Sequence, residues 1–141
     1  MRAVRSRLMV LIAAMVSLPA FGADEPFTGT FSGTGRACSG GLHIHAKTVE
    51  WNSSFSLCKP TGYEVLEKDL SSDHRRIAYR LKARSRRCRY EVVEIEHTSG
   101  AGWNVTGYQS LDAFKNRDAP DWKNSPLPER QVLSCPMIGP S

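Results

Sequence analysis

Apolar and polar residues alternate along most of this chain, and a period of two admits strands and little else. Leu42, Ile44 and Ala46 alternate with His43, His45 and Lys47. Ile77, Tyr79, Leu81 and Ala83 alternate with Ala78, Arg80, Lys82 and Arg84. Phe27, Gly29, Phe31 and Gly33 step by two through an opening strand, and Val49, Trp51, Ser53, Phe55 and Leu57 share one face of a later one. Further strand segments begin at Tyr63 and run over Tyr90 to Ile95, Trp103 to Thr106 and Gln131 to Leu133. About eight short strands separated by Gly, Ser, Asn and Asp clusters predict an all-β antiparallel barrel or curved sandwich. A single short helix is expected over Leu111 to Asn116 with Ser110 as its N-cap. Arg117 to Pro128, with Pro120, Pro126 and Pro128, reads as an ordered loop pinned by Trp122.

The N-terminal segment has a different logic. Arg2, Arg5 and Arg7 precede an apolar run from Leu8 to Pro19, and small residues flank Phe21 at Ala20 and Gly22. That layout predicts a secretory signal peptide over residues 1–22, too short to span a bilayer, ahead of one domain over residues 23–141. Of 19 Lys and Arg it removes three, and of 14 Asp and Glu none, so the formal charge falls from +5 to +2. Cys38, Cys58, Cys88 and Cys135 all lie beyond it. An even count behind an export signal reads as two disulfides in an oxidising compartment. None of the four stands at the cleavage point, so no lipid anchor is expected. The expectation is a monomeric protein of the bacterial periplasm or medium, with no membrane span and no cofactor.

Disulfide pairing follows from strand register. Facing Leu42 with Phe55, Ile44 with Ser53 and Ala46 with Trp51 gathers apolar residues on one face of a hairpin. Cys38 and Cys58 are then one residue out of step, a mismatch that a bulge at Gly40-Gly41 would absorb. The expected bridges are therefore Cys38–Cys58 and Cys88–Cys135.

Two patterns suggest chemistry. His43-x-His45 would project two imidazoles from one strand face about 7 Å apart, and a third ligand from another strand would complete a metal site. Without one, the pair is the polar outer face opposite Leu42 and Ile44. The second pattern is a basic band: Arg75, Arg76, Arg80, Lys82, Arg84, Arg86, Arg87 and Arg89, uninterrupted by any acid. The remainder of residues 23–141 holds eight basic and fourteen acidic residues, or −6. Arg80, Lys82 and Arg84 should share a strand face and Arg84 to Arg87 form the hairpin turn. Such a band suits an anionic glycan or an acidic envelope protein; otherwise it is a solvated face partly neutralised by Glu91, Glu94 and Glu96. Export and the lack of interleaved aromatics argue against nucleic acid.

Other motifs fail on inspection. Gly33 to Gly41 lacks the third glycine of a dinucleotide loop and the Lys-Ser/Thr of a phosphate loop. Ala37 stands where a nucleophile elbow centred on Ser39 needs glycine. Trp51 is assigned to the core and Trp103 to the barrel end. Trp122 is the tryptophan expected to be exposed for binding.

In architecture the chain resembles lipocalin-type calycins, with a glycine-containing first strand and successive antiparallel strands. Gly29-Thr30-Phe31 stands where that family carries Gly-x-Trp. In size, export and disulfide content it is similar to periplasmic inhibitors of C-type lysozyme. Ser99-Gly100-Ala101 resembles their Ser/Gly-rich loop, and Lys115-Asn116 replaces its Lys-Gly pair. Neither resemblance assigns site residues. The expected function is a non-catalytic binding module whose Arg-rich hairpin contacts an anionic polymer or protein, with Trp122 a further binding residue. Small apolar-ligand carriage and lysozyme inhibition are the alternatives that the resemblances imply.

Overall fold

The computed structural model describes residues 25–71, 73–126 and 132–140. The expected signal peptide lies outside them. The elements are β1 (Gly29–Gly33), β2 (Gly40–Ile44), β3 (Val49–Ser53), β4 (Ser56–Thr61), β5 (Tyr63–Asp69), β6 (His74–Leu81), β7 (Val92–Thr98), β8 (Gly102–Tyr108), α1 (Leu111–Lys115), α2 (Pro120–Asn124) and β9 (Val132–Ile138). All nine strands form one antiparallel sheet in the order β4-β3-β2-β1-β9-β8-β7-β6-β5. The two ends of that order, β4 and β5, are consecutive in the chain with only Gly62 between them. One bent strand thus pairs with β3 through its first half and with β6 through its second, and the sheet curls into a nearly closed barrel. Lys82 N–H donates to Gly62 O at 2.9 Å and Ala83 N–H to Thr61 Oγ1 at 3.0 Å, which pins the bend.

Leu42 faces Trp51 and Ile44 faces Val49, which corrects the expected hairpin register. The segment read as one strand from Val49 to Leu57 is two, because Ser54-Phe55 forms a tight turn with Ser53 opposite Ser56. Alternation survives across a turn of two residues, so the pattern alone did not reveal the break. Phe55 consequently stands 70% exposed at the turn instead of in the core.

The disulfide pairing is corrected with it. Cys38 bonds Cys135 and Cys58 bonds Cys88. The reason is topological. β9 returns to pair with β1, bringing Cys135 beside the β1–β2 connection that holds Cys38. Cys58 sits on β4, against which the β6–β7 connection lies.

The barrel interior is filled. Phe31, Leu42, Ile44, Trp51, Tyr79, Ile95 and Val105 are each at most 2% exposed, and Trp51 stacks on Tyr90 with centroids 5.0 Å apart. Gly107 makes that stack possible: a Cβ there would lie 2.6 Å from the Trp51 ring and 2.7 Å from Tyr90. Truncating Trp51 would cost about 3–5 kcal/mol, since its neighbours cannot close so large a void.

A second cluster lies on the outer face of the sheet. Ala78, Val92 and Tyr108 pack there against Ala113 and Phe114 of α1. Ser110 caps α1 as expected, its Oγ accepting from Ala113 N–H at 3.1 Å. The stretch expected as loop carries α2, started by Pro120, whose missing N–H and fixed φ suit a first helical position. No helix among the described residues is long and apolar enough to cross a membrane.

Candidate functional site

The basic band divides between β6 and the connection from Lys82 to Glu91. β6 ends at Leu81, so Arg80, Lys82 and Arg84 do not share a strand face as expected. They nevertheless line one cleft of about 420 Å³ with Glu64 and Glu91.

The connection is anchored along its length. Leu57 N–H donates to Arg87 O at 3.0 Å, Ser85 Oγ donates to Leu57 O at 2.9 Å, and Lys59 N–H donates to Ser85 Oγ at 3.2 Å. Arg89 N–H donates to Ser56 Oγ at 2.9 Å, and the Cys58–Cys88 bond ties the loop covalently to β4. The loop thereby satisfies the edge of β4, which would otherwise offer unpaired backbone groups to other chains. Anchoring the loop fixes the backbone positions from which its side chains project.

Its cations differ in their commitments. Arg80 donates from Nε (3.2 Å) and Nη2 (3.0 Å) to Glu91 Oε1, while Glu91 Oε2 accepts from Leu111 N–H at 3.0 Å. Arg80 is therefore a partly neutralised structural residue. Arg84 donates from Nη1 to Gln109 O at 3.1 Å, spanning the loop and the end of β8. Lys82, Arg84, Arg86, Arg87 and Arg89 are exposed and form no salt bridge among the described residues. Exposed Lys59 on β4 joins them through the Ser85 bond. Exposed Phe55 immediately precedes Ser56, which accepts from Arg89 N–H of the loop. Sequence reasoning missed Phe55 and Lys59; the Ser53-Ser54 pair was the available sign of a turn.

Glu94 and Glu96, expected to be solvated together, differ. Glu96 is bonded to His74 at 2.5 Å near the surface, whereas Glu94 is 4% exposed beneath the helical segment. Tyr108 donates to Glu94 Oε1 at 3.1 Å, and Oε2 faces Arg117 Nε at 3.6 Å and Arg76 Nε at 3.9 Å. Burial pushes the Glu94 carboxyl above the ordinary carboxylate range, against the pull of Arg117, the Tyr108 hydroxyl and Arg76. Arg117 also donates to Glu67 at 2.7 Å and stacks over Phe114 at 4.0 Å. This cluster fastens α1 to the barrel.

His43 and His45 present near-parallel rings 6.5 Å apart, with His43 4.0 Å from Glu50. Among the described residues no three His, Cys, Asp or Glu side chains gather as a metal site would require. Trp122 is corrected: it is half-buried against the outer cluster, with its indole N–H enclosed, because α2 folds it onto the sheet. Trp103 caps the barrel end, packing on Phe31 at 4.9 Å and donating to Pro140 O at 3.2 Å.

Comparison with protein-family models, with curated proteins and with solved structures finds no match to this chain.

Proposed function

We propose that this protein is an exported, non-catalytic binding module of the bacterial cell envelope that grips an anionic glycan along the Lys82–Arg89 loop. The observation that carries the reading is the anchoring of that loop. Five exposed cations without acidic partners among the described residues project from a backbone held by a disulfide and four hydrogen bonds to β4. Surface charges on a mobile loop would lose much of their binding energy to ordering, and here that cost is met on folding. The cations are spread along the loop from Lys82 to Arg89, which suits a linear polyanion better than a compact one. Phe55 adds an apolar face on which a sugar ring can stack. The two disulfides fit an oxidising compartment.

Arg80 and Arg84 are bonded to the fold, so reversal belongs at Lys82, Arg86 and Arg87. Lys82→Glu, Arg86→Glu and Arg87→Glu together should weaken binding to a sulfated polysaccharide such as heparin by about a hundredfold, on the order of 1 kcal/mol per lost charge contact. Melting should change little, because exposed charges contribute only ~0–1 kcal/mol each to folding. Unchanged heparin affinity in a folded triple variant would overturn the assignment. Phe55→Ser should weaken uncharged-sugar contacts alone, lowering affinity without altering its salt dependence.

A further inference from the structure

We propose that a pocket at the edge of the barrel, beside the β2–β3 turn, is a second binding site, separate from the basic loop, that takes a small amphipathic carboxylate: an apolar body in the mouth and its anionic head on Lys68. The mouth is a pocket of about 250 Å³ between the segment before β1, the β2–β3 turn and strands β5 and β6. Phe27, Val65, Ile77 and Ala46 give it apolar walls. Tyr63 holds one side in place by donating to His45 O at 3.1 Å and Ala46 O at 3.0 Å, with its ring edge-on to Tyr79 at 4.6 Å.

The position of Lys68 comes from a bulge. Along a regular strand, Val65 and Lys68 would face opposite sides, being an odd number of residues apart. In β5 the register shifts: Val65 pairs with Tyr79, Glu67 with Ala78 and Lys68 with Ile77. The extra residue turns Leu66 and Glu67 outward, to the outer cluster and to Arg117, and brings Lys68 onto the same side as Val65. Bulges re-aim side chains in this way beside functional sites. Lys68 has no salt-bridge partner among the described residues. Its neighbour Asp69 is bonded instead to Ser71 N–H at 3.0 Å.

A second polar group shares the pocket. Tyr79, a phenol with one hydroxyl, is 1% exposed and lines the pocket. Burial holds that hydroxyl in its neutral form, a donor available to a carboxylate. Apolar walls, one cation and a phenolic hydroxyl match a ligand with a single anionic head better than an alcohol or an amine. Val65, a β-branched residue of a pocket wall, is 46% exposed.

The test is NMR titration of the isotopically labelled exported chain with octanoate, octanol and octylamine. Octanoate should bind saturably, shift the amides of Val65, Ile77 and Tyr79, and bind more tightly than either analogue. Lys68→Met should weaken octanoate about tenfold, the loss of one charge-assisted contact, and leave octanol unchanged. Val65→Trp, placed where half the side chain already meets solvent, should fill the mouth and abolish both. The Lys82/Arg86/Arg87 reversal should retain octanoate binding, so failure of the glycan reading leaves this site intact. The proposal is overturned by octylamine binding as tightly as octanoate, by octanoate affinity unaffected in Lys68→Met, by octanoate lost in the basic-loop variant, or by no shift at these amides at millimolar octanoate.

Discussion

Glu94 shows how far a single residue can depart from its sequence context. It lies among charges on an alternating strand, yet the outer face it shares with Glu96 is roofed by α1 at only one of the two positions. Its carboxyl titrates above the ordinary value of 4.5 because burial disfavours the ion. Between that value and the raised native one, the folded state holds a proton that the unfolded state has released. Stability contributed by this group is therefore full below pH 4.5 and is lost as pH rises through the native pKa. Glu94→Gln should flatten that segment of the stability profile, measured as urea midpoints from pH 4 to 8. A variant with the wild-type slope would show that Glu94 is not the group responsible. The period of two puts Glu94 and Glu96 on one strand face. What covers an outer face is decided by tertiary packing of α1 and α2, to which local alternation is blind, and Trp122 was misjudged for the same reason.

At the scale of elements, the strands were largely legible because alternation is a local property, whereas their ends were not. A two-residue turn at Ser54-Phe55 and a bulge after Val65 both break the register without interrupting the apolar pattern. The disulfides failed with the register, since their pairing depends on β9 meeting β1 and on the loop docking against β4. Non-reducing peptide mapping should link Cys38 to Cys135 and Cys58 to Cys88. Removing either bridge should cost about 2–5 kcal/mol. Cys38–Cys135 closes 97 residues and Cys58–Cys88 closes 30, so on the chain-entropy account the first contributes about 1 kcal/mol more. The functional effects should divide differently. A Cys58→Ser, Cys88→Ser variant, assayed below its melting temperature, should lose heparin affinity as its loop loosens. A Cys38→Ser, Cys135→Ser variant should keep it. Equal affinities would mean that anchoring contributes nothing to recognition.

Over the whole molecule, the all-β class and the segregation of charge were both readable from the sequence, because composition and period average over many residues. The continuity of β4 into β5 was not, and it determines where the basic loop can lie: against the outer edge of β4, at the seam where the sheet meets itself. Residues 23–141 outside the band sum to −6, so positive charge available to a polyanion is concentrated in the band. Short screening lengths make that contrast sensitive to salt, the field reaching ~8 Å at physiological ionic strength. Heparin affinity measured by calorimetry at several salt concentrations, for the wild type and the Lys82/Arg86/Arg87 reversal, is the most direct test. The logarithm of the binding constant should fall linearly with the logarithm of salt concentration, and the variant's slope should be shallower by roughly one for each cation removed. A wild-type affinity indifferent to salt, or a variant with an unchanged slope, would contradict recognition through the anchored basic loop.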